Sequence, residues 1–265
     1  MIRILKLIIL LFLTTLTTFA QQPKTFVSGE KVVFDAYYNW GFIWLHAGQA
    51  MFTARDTVFN GDEAYLMKAT GTTFKGYDYL FKVRDTLISV VSKDSLQPIW
   101  FTRKTNEGTY SAELTYHFDH AANMVTGTKK RHEKTEYASY ILPENTRDIV
   151  SVIYYLREVD LTGMKEDDRI LFNMVVDNEM WELYVRYLGK KVVKLKSGRK
   201  FRCIVLAPLL LEGSVFSGGE GMKIFVTDDR NRLPVYIESK VLVGKVKASL
   251  ESYENLKFPL SSEVY

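Results

Sequence analysis

The segment Lys31-Val32-Val33-Phe34-Asp35-Ala36-Tyr37 puts Val32, Phe34 and Ala36 on one face of an extended chain and Lys31 and Asp35 on the other. That period of two, carried by β-branched and aromatic residues, reads as a half-buried strand rather than a helix. Outward from it the pattern recurs at Gly48 to Val58, Ala64 to Thr72, Lys82 to Val91, Pro98 to Lys104 and Thr109 to Phe118. Turn-forming clusters punctuate these segments at Asn60-Gly61-Asp62, Lys93-Asp94-Ser95, Asn106-Glu107-Gly108 and Asp119 to Asn123. Short connections of this kind join antiparallel neighbours. The pattern resumes at Arg169 to Val176, Met180 to Tyr187, Lys191 to Leu195, Lys200 to Ala207, Met222 to Thr227, Val235 to Val241 and Lys245 to Ser252.

Between the two series the period changes. Ile149, Val150, Ile153, Tyr154 and Leu156 recur at three and four, which predicts an amphipathic helix over 146–159 with Asp148 in its first turn. About 14 strands exceed what a strongly twisted open sheet holds, so the sheet must curl, close or split. The expected fold is therefore all-β and mostly antiparallel. It is a curved, partly closed sheet, or two half-barrel lobes with one central helix. The lobes span 21–145 and 160–265 of a single domain.

At the N-terminus, Arg3 and Lys6 flank the apolar run Leu7 to Leu13, and small and hydroxylated residues follow to Ala20. This reads as a signal peptide, 1–20, since crossing about 30 Å of hydrocarbon takes roughly 20 apolar residues. Cleavage after Ala20 would leave a chain without a transmembrane anchor, located in the periplasm. Loss of Arg3 and Lys6 lowers the formal net charge from +4 to +2, without the concentrated positive charge that marks nucleic-acid binding. Cys203, the only cysteine, lies in an apolar alternating stretch, so no intramolecular disulfide forms and the thiol reads as core.

Few motifs suggest chemistry. Thr227-Asp228-Asp229-Arg230-Asn231-Arg232-Leu233-Pro234 carries two adjacent carboxylates. It reads as a hairpin turn in which Asp and Asn bond the local backbone and the arginines pair with the aspartates. The competing reading is an acid and base pair, or a calcium ligand set without the further spaced carboxylates such a loop requires. His117 and His120 straddle a turn and lack the three or four convergent ligands that zinc takes, so neither a metal nor a cofactor is expected. The basic clusters Lys129 to Lys134 and Lys190 to Lys200 read as hairpin ends, where charge also discourages edge pairing. Ala207 to Phe216, followed by Ser217-Gly218-Gly219-Glu220-Gly221, departs from strand register and reads as a flap or a bulged core strand. Leu209, Leu210, Leu211 and Phe216 from this flap, with Trp40, Trp44 and Tyr154, are the candidate ligand-binding residues. Asp228 and Asp229 form the candidate functional turn.

The series Gly29-Glu30, Gly41 with Ala47-Gly48, Asp85, Pro98, Glu107-Gly108, Asp148 with Tyr154-Tyr155-Leu156-Arg157, Pro208, Thr227-Asp228-Asp229 with Pro234, and Gly244 is distinctive in its order and spacing. It resembles the exported bacterial proteins grouped as domain of unknown function 3108, from about residue 28 to about residue 254. The resemblance implies periplasmic residence and a β-rich fold, and it brings no established activity or catalytic residue. A half-barrel with a helical lid is also the architecture of lipoprotein carriers, an analogy of fold alone. Three functions follow as expectations. The first is non-enzymatic binding of an apolar or amphipathic envelope ligand, a lipid or a lipid-linked glycan. The alternatives are an envelope glycan hydrolase using carboxylates about 5 to 9.5 Å apart, and a structural partner of another envelope protein.

Overall fold

The alternating segments become strands wherever the computed structural model describes the chain, at residues 24–40, 43–212, 217–241 and 244–265. The signal peptide expected at 1–20 and Phe216 lie outside these residues. The first half is a meander of eight strands: β1 (Glu30–Trp40), β2 (Ile43–Phe59), β3 (Asp62–Thr73), β4 (Arg84–Ser92), β5 (Pro98–Glu107), β6 (Tyr110–Asp119), β7 (Met124–Arg131) and β8 (Lys134–Ile141). Each pairs antiparallel with its predecessor. Asn60 and Gly61, at φ +55° and +95°, make the left-handed two-residue turn that matches the twist of β2 and β3. At Gly48 the backbone of β3 comes so close that a Cβ would stand 2.1 Å from the Thr72 carbonyl oxygen, and only glycine fits.

The second half contributes β9 (Thr146–Arg147), β10 (Arg169–Val176), β11 (Glu179–Lys194), β12 (Lys200–Pro208), β15 (Met222–Thr227), β16 (Pro234–Lys240), β17 (Lys245–Glu254) and β18 (Glu263–Val264). Two short strands, β13 (Leu210–Glu212) and β14 (Ser217–Gly219), pair only with each other, as a hairpin off the main sheet. Because β1 pairs with both β2 and β17, the halves share one sheet of order β8-β7-β6-β5-β4-β3-β2-β1-β17-β16-β15-β12-β11-β10-β9. Segments 180–187 and 191–195 are not two strands but one, β11, whose register against β12 shifts between Tyr187 and Lys190.

So long a sheet curls, and its ends meet without closing. The tip of the β10–β11 hairpin reaches the first half, where Asn178 N donates to Tyr116 Oη at 2.7 Å, Tyr140 Oη donates to the Asn178 carbonyl and Arg103 pairs with Asp177. Apolar side chains fill the inside in three clusters.

A helix, Ser151–Glu158, lies between the halves. Tyr154 packs into the first cluster, edge-on to Phe26 at 5.0 Å, while Val152, Ile153, Tyr155 and Leu156 meet the third. The helix is shorter than its apolar period suggests. Thr146 and Arg147 pair in parallel with β10, and Asp148 then starts the helix from outside its first turn. Asp148 Oδ1 accepts from the amides of Val150 and Ser151 at 2.8 and 2.9 Å, and Ser151 Oγ accepts from the Asp148 amide at 3.0 Å, a reciprocal cap. Ser89 Oγ donates to Asp148 Oδ2 at 2.6 Å and so fixes that cap to β4.

Arg157, on the last turn, is buried and ties four segments together. Its Nη1 and Nη2 donate to Glu30 Oε1 and Oε2 at 2.5 and 2.9 Å, its Nε to the Asn231 carbonyl at 3.1 Å, and its Nη2 to the Thr25 carbonyl at 3.4 Å. Burial works against the cation, but hydrogen bonds and charge from Glu30 outweigh it and hold the pKa of the guanidinium above its ordinary value. Arg157→Ala strands a fully buried carboxylate and is expected to cost about 3–5 kcal/mol in urea unfolding. Glu30→Leu combined with Arg157→Met removes both charges and is expected to recover part of that loss. Losses that simply add would contradict the pairing.

Candidate functional site

Below the C-terminal end of the helix a cleft of about 670 Å³ opens between residues 161–164, Tyr187 and Lys190 of β11, Ile204 of β12, the Asp228–Arg232 turn and Phe258. The turn is built by its own side chains. Thr227 Oγ1 donates to Asp229 Oδ1 at 2.8 Å and accepts from the Leu233 amide at 2.8 Å. Asp229 Oδ1 also accepts from the Asn231 amide at 3.0 Å, and its Oδ2 from the Ser262 amide at 3.1 Å. Asn231 is wholly buried. Its Nδ2 donates to the Phe258 and Pro259 carbonyls, and its Oδ1 accepts from the Phe258 amide.

Both oxygens of Asp229 are therefore engaged in holding the turn to the C-terminal segment. Asp228 pairs instead with Lys190, Nζ to Oδ2 at 2.9 Å. The two carboxylates are structural or already neutralised, and this is no acid and base pair facing each other across a cleft. The arginines do not pair with these aspartates. Arg230 lies over the Phe258 ring, 3.8 Å from its centroid, and Arg232 Nη2 stands 3.9 Å from Asp160 Oδ1. Arg232 Nη1 is buried and has no hydrogen-bond partner. Burial lowers the pKa of this guanidinium, an effect that neighbouring acidic groups offset only in part.

The lining mixes apolar Leu161, Met164, Ile204 and Phe258 with the cations Lys190, Arg230 and the under-bonded Arg232 and with the carboxylates of Glu158, Asp228 and Asp229. Such a surface suits a molecule with an apolar part and an anionic group. Sequence reasoning placed Arg230 and Arg232 as partners of the aspartates because they are neighbours in the chain. That Phe258 and Asp160 take those places depends on contacts at long sequence separation.

The apolar candidates are not gathered here. Tyr154 is buried in the core against Phe26, not on a cavity wall. Leu209 and Leu211 are half-buried against the third cluster, and Leu210 pairs with Gly219 across the β13–β14 hairpin. Trp44 lies near the β1–β2 turn with Lys247 Nζ 4.2 Å above its ring; the side chain of Trp40 lies outside the described part. Cys203 is buried, and burial pushes its thiol up to about 12, far from a nucleophile's range. Among the described residues no three His, Cys, Asp or Glu side chains gather as metal ligands.

A curved, unclosed antiparallel sheet with a short helix between its halves places the chain among beta-barrel-like proteins. A solved relative in fold is the beta-barrel-like protein of domain of unknown function DUF1849 from Brucella abortus, with a TM-score of 0.58 and 11% identity over 88% of this chain and 99% of that one. The chain belongs to the family described as protein of unknown function (DUF3108), whose sequence profile matches residues 33–251. No curated protein matches it.

The β13–β14 hairpin is fastened by Glu220, which accepts from Arg186 Nε at 2.9 and 3.0 Å and from Tyr184 Oη at 3.0 Å. The Arg186 bonds hold the Glu220 carboxyl below its ordinary range. A depressed carboxylate contributes its stability above the unfolded value, about 4.3, and loses it as pH falls through the folded value. Amide exchange over residues 209–212 and 217–221 is therefore expected to be steady from neutral pH down to about 5 and to accelerate below about 4, relative to the main sheet. Glu220→Gln should remove that acid dependence.

Proposed function

We propose that the chain is a non-enzymatic binding protein of the cell envelope, exported by its N-terminal leader to the periplasm. In this reading it holds an amphipathic ligand with an acidic group, a lipid or a lipid-linked glycan, in the cleft at the foot of the helix. The observation that carries the proposal is Arg232. A guanidinium nitrogen buried without a partner costs free energy, and an acidic ligand in the cleft would supply the missing acceptor. The apolar residues Leu161, Met164, Ile204 and Phe258 in the same lining suit the rest of such a ligand. A hydrolase acting through Asp228 and Asp229 gains no support from this geometry, because Asp229 has no free oxygen and Asp228 is paired.

Native mass spectrometry of the protein recovered from an exporting host, followed by organic extraction, tests the proposal. The expected result is a co-purifying acidic amphiphile at near-stoichiometric occupancy. Arg232→Gln should lower the affinity for it about tenfold to a hundredfold, the worth of one charge-assisted hydrogen bond of roughly 1.5–3 kcal/mol. A bare mass for the parent, or occupancy unchanged in the variant, would sink it.

A further inference from the structure

The cleft lies at one end of β16, whereas the connections at its other end form a different surface. There lie the end of β1 and the start of β2, residues 74–83 between β3 and β4, and the end of β16 with the start of β17. The first two are joined, since the Phe74 amide donates to the Ala47 carbonyl at 2.9 Å and the Phe74 ring meets His46 edge-on at 4.8 Å. The third is joined to β1 through the Asn39 and Lys245 pairing.

This rim exposes four large apolar side chains. Ile43 is 65% exposed, Trp44 37%, Tyr79 81% and Phe81 55%. Exposed lysines surround them, Lys75 and Lys82 on one side and Lys240 and Lys245 on the other, with Lys247 over the Trp44 ring. Of the acidic groups beside them, Asp78 is bonded by Arg84 and Thr73 and Asp85 accepts from the Asn106 amide, while Glu107 stands next to the Phe81–Val83 segment.

We propose that this rim docks on the surface of an anionic bilayer, with Ile43, Trp44, Tyr79 and Phe81 entering the interface and the lysines meeting lipid phosphates. Trp and Tyr favour that interface because one end of the ring is apolar and the other wet. Lysine stems lie along apolar surface while the ammonium groups stay hydrated. Attraction to anionic headgroups acts within a Debye length, about 8 Å at physiological ionic strength, so it supports contact and not distant steering. Separate apolar tips with cations between them fit a fluid, negatively charged plane better than a shaped protein surface, which would require a complementary acidic partner and a continuous apolar core. The inference is independent of what fills the cleft.

Because Cys203 is buried, an introduced cysteine takes an environment-sensitive fluorophore selectively. Gly76→Cys marks the rim, where Gly76 has open space around it, and Asp62→Cys marks the far end of the sheet. With vesicles of phosphatidylcholine and phosphatidylglycerol, the Gly76→Cys label is expected to brighten and shift to shorter wavelength, and the Asp62→Cys label to stay unchanged. Pure phosphatidylcholine or high salt should weaken the response. Ile43→Ser with Tyr79→Ser and Phe81→Ser should lower partitioning about tenfold or more. A retained leader would not imitate this result, because the chain enters at the other end, where Lys24 Nζ donates to the Asp94 carbonyl. No response at Gly76→Cys, an equal response at Asp62→Cys, equal binding to uncharged vesicles, or full binding by the triple variant would each overturn the proposal.

Discussion

The buried pair of Arg157 and Glu30 is the constraint on which the rest of the structure depends. Two charges removed from water are tolerated only with close geometry and every remaining donor occupied. Here four hydrogen bonds from the guanidinium go to Glu30, the Asn231 carbonyl and the Thr25 carbonyl. An eight-residue helix is too short to persist on its own, so its position comes from what it is fastened to. One end is fixed by Asp148 to Ser89 on β4, and the other by Arg157 to the start of β1 and to the 227–234 turn. Glu158 extends the same tie, since its Oε1 accepts from the amide and hydroxyl of Thr25. A sheet that curls without closing is thereby held at one curvature.

The cleft is a consequence of that tie. Asp229 and Asn231 spend their hydrogen-bonding capacity on the turn and on the C-terminal segment, and Asp228 on Lys190. Within this frame Arg232 Nη1 and Ser262 Oγ are left without a partner, and Arg232 lines the cleft among its apolar residues. Carboxylates that looked chemical in the sequence thus serve as scaffold, and the unspent charge belongs to an arginine three or four positions away.

Much of the fold was legible in local periodicity, because a strand with one face in a core must alternate. The β6 segment and the Met180 to Tyr187 part of β11 follow that rule, and Asn60-Gly61 sets its turn by backbone preference alone. The helix was legible from its apolar stripe, but its start was not. Thr146 and Arg147 become a strand through pairing with β10, and no neighbour in the chain announces that partner. The Lys190 interruption suggested two strands where a register shift keeps one. Candidate site residues fared differently, since aromatic and leucine-rich stretches signal burial without saying where. Tyr154 went to the core and Leu210 to a side hairpin. The pairing of Glu30 with Arg157 spans most of the first half and has no local signature, although both stand in the residue series by which the family is recognised.

If Arg157 holds the N-terminal segment, the helix and the 227–234 turn as one unit, loosening it should loosen all three together. Hydrogen exchange of Glu30→Gln followed by mass spectrometry tests this most directly. The account predicts that amides in 24–30, 151–158 and 227–234 accelerate in concert while those of β6 and β7 keep their protection. Faster exchange confined to 24–30, with the helix and turn unchanged, would contradict it.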